Sequence, residues 1–146
     1  MSKAESADLI MKLYDLRREE TMREARKWFI TGFFPENTQD IMQAMVDERT
    51  SGFYRMVISY WDMAAGFVMH DAIDEDMFLD SNGECIVVFS KVEPFIEELR
   101  QTLGSPKYLK NLESLIMKIP DAKELLATRR ETIKRWMQAR SEMAKG

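Results

Sequence analysis

Residues Phe53 to Val68, FYRMVISYWDMAAGFV, are the longest apolar run in the chain, and nearly all of them favour a helix. Stepped at about 100° per residue, apolar side chains cover most of the circumference. One narrow seam is left polar or small: Arg55, Ser59, Asp62, Gly66 and His70. A helix that is apolar on most sides has to be enclosed by other elements. The chain is therefore expected to fold around a central helix at about 53–70, with the remaining elements arranged to cover it.

Those elements read as helices too. Leu9, Ile10, Leu13 and Leu16 share one phase, whereas Met22, Ala25 and Phe29 share another, so one straight helix cannot serve both sets. Thr21 followed by Glu24 has the form of a capping box, which predicts helices at about 6–17 and 22–32, ended by Gly32 and Pro35. Thr38 is the expected N-cap of a helix at about 39–49, and Asp71 or Asp74 that of a short acidic helix. Ser90–Glu93, Ser105-Pro106 and Asp121–Glu124 give further start signals, for helices at about 91–103, 106–119 and 121–143. Glu84 to Phe89, ECIVVF, has strand-like composition but no strand to pair with, and is read as a helical turn or a buried irregular segment. With only six Gly and four Pro for turns, the expected architecture is all-α: an irregular bundle of six or seven helices in a single domain over 1–146.

Charge restricts the possible partners. Residues 36–98 hold 14 Asp/Glu against 3 Lys/Arg, and residues 99–146 hold 11 Lys/Arg against 5 Asp/Glu. An overall balance of −4 gives too weak a basic field for nucleic acid. The acidic middle and basic tail can instead attract each other, within one fold or across a homodimer. No run is long enough to span a bilayer, and the N-terminus lacks the pattern of a secretory signal. Cys85 is the only cysteine, so the chain is expected in the reducing cytoplasm.

Candidate chemistry is sparse. Asp62 lies between Trp61 and Met63, and a carboxylate buried there needs a partner. The available cations are Arg55 on the same helix and Arg26, Arg100, Arg129 or Arg140 from others. Arg129 and Arg140 project from an apolar stripe formed by Ala122, Leu125, Leu126, Ile133, Trp136, Met137 and Met143. Such a group is a structural ion pair or, read functionally, a polar pocket built from Trp61, Asp62, His70 and an arginine. The acidic residues Asp71, Asp74, Asp76 and Asp80 are weak candidates for a metal site. An EF-hand register on Gly83 puts Phe78 and Phe89 where carboxylates are needed, and one His with one Cys is too few for zinc. No metal and no cofactor is expected. Trp28, Trp61 and Trp136 read as core anchors, and the 12 Met as core filling or an adaptable partner surface.

The pattern LYDLRREETMREARKWF, then SYWDMAAGFVMHDAIDEDMF, then KVEPFIEELR, resembles a family of small uncharacterised bacterial all-helical proteins, a domain of unknown function. Its marks are Ala25-Arg26 with Trp28, Trp61-Asp62, and Ala72 followed by Ile73-Asp74-Glu75-Asp76. The resemblance implies an all-α fold and a shared buried pair of Arg26 with Asp62, and carries no activity. Three functions are compatible with these residues. The first is a non-catalytic interaction or scaffold module that self-associates or holds another protein. The second is a small-ligand regulator or enzyme using the pocket around Asp62 and His70. The third is a peripheral membrane protein using its basic C-terminal helix.

Overall fold

A computed structural model describes residues 2–146. Helices α1 (Lys3–Arg17), α2 (Glu20–Thr31), α3 (Thr38–Val46), α4 (Ser51–Met69), α5 (Glu75–Ser81) and α6 (Glu84–Val92) lead into a 3-10 turn at Glu93–Phe95. Helices α7 (Ile96–Leu103), α8 (Lys110–Ile116) and α9 (Ala122–Lys145) follow. No strand forms among the described residues. The architecture is the expected all-α bundle, and its shorter segments bring the number of α-helices to nine among the described residues.

Helix α4 is the centre, packed chiefly between α2 and α8 with α3 alongside. Val57, Trp61, Ala64 and Ala65 on it are wholly enclosed. Its solvent-facing stripe shares Arg55, Ser59 and His70 with the predicted seam but departs from it at Asp62 and Gly66. Arg55, Ser59, Met63, Phe67 and His70 are exposed, while Gly66 is buried and Asp62 half-buried. The reason is steric and polar at once. Gly66 lets α8 come close, since a Cβ there would stand 3.0 Å from Asn111 Nδ2, and Asp62 bonds the α8 backbone. The wet stripe is therefore turned onto the apolar Met63 and Phe67.

The apolar run of Glu84–Val92 is a full helix, α6, with Cys85, Ile86 and Val88 to Val92 all buried. It packs chiefly against α9. Ser90 sits inside α6, its hydroxyl donating to the Val87 carbonyl at 2.6 Å, so it caps nothing. The other start signals are likewise reassigned. Glu19, not Thr21, caps α2, accepting from the Thr21 and Met22 amides. Asn37 rather than Thr38 caps α3. Residues 106–109 form turns, and Asp121 takes φ 56° with no side-chain cap. Asp74 does cap α5, and Gly104, at φ 63°, ends α7 in the left-handed conformation that glycine adopts without a Cβ clash. The capping box that forms is Ser2–Glu5, at the start of α1.

Helix α9 divides in two. Ala122, Leu126 and Ile133 are buried against the body. Met137 is half-buried, every residue from 138 on is exposed, and Trp136 is 62% and Met143 81% exposed. Trp61 is a core residue and Trp28 packs half-buried against the core, but Trp136 is exposed although the next residue, Met137, is half-buried.

Candidate functional site

One cluster of polar groups joins α4, α7 and α8. Helix α8 starts without help from its own sequence. Its N-cap residue, Leu109, is held at φ 56° and has no side-chain oxygen. The free amides of a helix's first turn need an acceptor. Asp62 supplies it from α4, its Oδ1 accepting from the Leu112 N–H at 3.0 Å. A carboxylate at this end also opposes the positive end of the helix dipole. Burial raises the Asp62 pKa above the ordinary carboxylate value, opposed by the Leu112 amide, the Arg100 charge and the Asn111 amide.

Arg100, 7% exposed, ties the same junction together. Its Nε donates to the Tyr108 carbonyl at 2.9 Å, Nη2 to Glu113 Oε1 at 3.1 Å and Nη1 to Glu97 Oε1 at 3.0 Å. The Tyr54 and Tyr108 hydroxyls lie 2.7 Å apart. Burial raises both phenols, that of Tyr108 to about 12, so both carry their protons at neutral pH. On the α3 side of this pair an open cleft of about 560 Å³ is lined by Met45, Tyr54, Arg55, Ile58, Leu103 and Tyr108.

The predicted pocket does not form around Asp62 and His70. Trp61 is fully enclosed and His70 exposed. Asp62 and His70 lie two helical turns apart, about 12 Å along the axis. The pair implied for Arg26 and Asp62 is replaced by another. Arg26 Nε and Nη2 hold Glu84 Oε2 and Oε1 at 2.8 and 2.9 Å, and Nη1 donates to the Arg17 carbonyl at 3.0 Å. Glu84 opens α6 and Arg17 closes α1, so Arg26 joins three helices. Arg140 is exposed on the free half of α9 and Arg129 half-buried, and neither ion-pairs among the described residues. The arginine of α9 that bonds the body is Arg130, which donates to the Ser90 carbonyl at 2.7 Å. Asp74 is taken by Lys3, at 2.6 Å, and by the Met77 amide, while Asp71, Asp76 and Asp80 are exposed. Among the described residues no three His, Cys, Asp or Glu side chains gather as metal ligands would.

One buried cation escaped the sequence reading. Lys91 is 4% exposed, and its ammonium donates to the carbonyls of Phe29, Ile30 and Phe33 at the end of α2, with the Phe34 ring 3.8 Å away. Burial pushes its pKa down to about 7. The three carbonyls at a helix C-terminus favour the charged form, and they occupy all three ammonium protons. Lys91 is thus a cap supplied from a distant helix rather than a free nucleophile. The available signal was a lysine inside the otherwise apolar run of α6.

The profile of a family described as a domain of unknown function (DUF4760) matches residues 3–119. The chain belongs to that family. The matched segment contains α1 to α8, and with them Asp62, Arg100, Lys91 and the cleft, whereas α9 lies beyond it. No curated protein and no solved structure matches the chain.

Proposed function

We propose that the chain is a non-catalytic interaction module that self-associates through the free half of α9. The observation that carries this reading is the exposure of Trp136 and Met143 on the last third of a helix whose residues from 138 on are all exposed. Large apolar side chains held out in this way favour a partner surface. The arm from 134 to 145 also carries Lys134, Arg135, Arg140 and Lys145 against Glu142, while residues 36–98 are strongly acidic. Opposite fields of this kind speed association and orient it. A second copy of the chain offers both surfaces, and a homodimer needs no other component. Buried, unpaired Cys85 is consistent with a reducing cytoplasm, where we place the module.

Sedimentation equilibrium of the wild type and of Trp136→Glu tests this. The expected result is a dimer that weakens at high salt and becomes a monomer in W136E. A wild-type monomer at all concentrations sinks the proposal. The same arm supports a second reading, contact with an anionic membrane surface, because a basic helix bearing Trp suits that interface. Among the described residues no helix is long and apolar enough to cross a membrane. Flotation with anionic but not neutral liposomes, together with a monomer in solution, would favour that reading.

A further inference from the structure

We propose that the cleft between α3, α4 and the connection from α7 to α8 binds a small amphipathic anion, an apolar body ending in a carboxylate. Three features of the cleft argue for this ligand class, and none depends on α9.

The first is the wall. Met45, Ile58 and Leu103 give an apolar lining to a volume of about 560 Å³, within the range of small-molecule sites. Leu103 is 37% exposed although its neighbours Leu99 and Arg100 are buried, so the apolar surface is presented rather than used in packing.

The second is the rim. Arg55 is the one charged residue lining the cleft. Its one hydrogen bond is a long one, Nε to the Ser51 carbonyl at 3.4 Å, and among the described residues no carboxylate pairs with it. Both terminal nitrogens of the guanidinium are left for an acceptor, and a carboxylate matches that fork.

The third is the floor. Tyr54 and Tyr108 share one hydrogen bond between two hydroxyls. Two phenols bring two protons, and one bond uses one of them. When Tyr54, which is 1% exposed, donates to Tyr108, the half-buried Tyr108 keeps an O–H with no acceptor in the protein. A donor at the floor and a cation at the rim call for an anion, while the walls call for an apolar body. A neutral ligand would leave Arg55 unanswered, and a small inorganic anion would leave the walls wet.

Isothermal titration with decanoate, decanol and acetate tests the assignment on the full chain. Decanoate is expected to bind saturably at one per chain, more tightly than decanol by about tenfold or more, as one charge-assisted contact supplies. Acetate is expected not to saturate. Arg55→Gln should remove the preference for decanoate and leave decanol unchanged. Leu103→Trp should fill the cleft and abolish both. Both positions are exposed, so the fold is kept, and circular dichroism verifies it. No saturable decanoate binding by the folded protein overturns the proposal. So does decanoate binding that survives both substitutions, or decanol binding as tight as decanoate.

Discussion

Removing Arg26 should separate two ways of wiring this bundle. In the structure its guanidinium grips Glu84 through two parallel bonds and holds the last carbonyl of α1. The two side chains are 23% and 21% exposed, so the pair is neither on the open surface nor in a dry core. An exposed ion pair contributes about 0–1 kcal/mol. Breaking a buried one by removing a partner costs about 3–5 kcal/mol. Bidentate geometry at one-fifth exposure places the Arg26–Glu84 coupling between these limits, at about 2 kcal/mol. Arg26→Met also strips a donor from the Arg17 carbonyl. Glu84 left alone retains a partial counter-charge from the α6 N-terminus, of about 0.3–1 kcal/mol. The single substitution should therefore cost about 2–3 kcal/mol, or about 6–9 °C in Tm for a chain of this size. Urea unfolding of R26M, E84Q and the double variant closes the cycle. A parallel cycle pairs R26M with Asp62→Asn. Coupling below about 0.5 kcal/mol in the first cycle, or a larger value in the second, would refute the assignment. It would restore the Arg26–Asp62 pair that the family pattern implies.

Asp62→Ala should cost about 1–2 kcal/mol, as loss of an N-cap does, and hydrogen exchange should quicken locally at the amides of Asn111 and Leu112. Lys91 predicts a pH dependence. Its folded pKa, about 7, lies below the ordinary 10.5, so between those values the unfolded chain binds more protons and stability rises with pH. That contribution is complete above pH 10.5 and is lost as pH falls through 7. The wild type should gain on Lys91→Met across this window, by up to about 5 kcal/mol, in parallel urea titrations.

The central helix was legible because enclosure leaves a periodic mark, and Tyr54, Val57, Trp61, Ala64 and Val68 all carry it. Its neighbours' start signals were less so. Thr21 and Glu24 have the letters of a capping box, but Glu19 takes the Thr21 amide that Glu24 would have accepted from, and the Met22 amide with it. Ser90 and Glu93 also have them, but tertiary burial carried α6 straight through. Local competition for a free N–H is decided by which oxygen arrives, and periodicity is silent on that. Asp62 shows the point over distance. Its need for a partner followed from its apolar surroundings, and an arginine was the natural guess. The partner is a backbone amide 50 residues away, free because Leu109 adopts a left-handed turn and cannot cap. Nothing in the residues around Asp62 encodes that turn.

Trp136 separates pattern from extent. Its position lies at the edge of the stripe of Leu126 and Ile133, which the half-buried Met137 continues, and a stripe says which way a side chain points. It does not say how far the opposing surface reaches. The surface under α9 is chiefly α6, with α2 beside it, and α6 is nine residues long, about 14 Å, against about 36 Å for the 24 residues of α9. From residue 138 to the C-terminus every residue of the helix is exposed. Its amphipathic pattern continues past the support, on the free half, where keeping Trp136 and Met143 apolar serves no contact within the chain. The body holds a cleft that needs no partner chain, and the arm holds a face that finds no partner in the body. These are separate physical problems, and so the ligand site and the association surface can fail or stand independently.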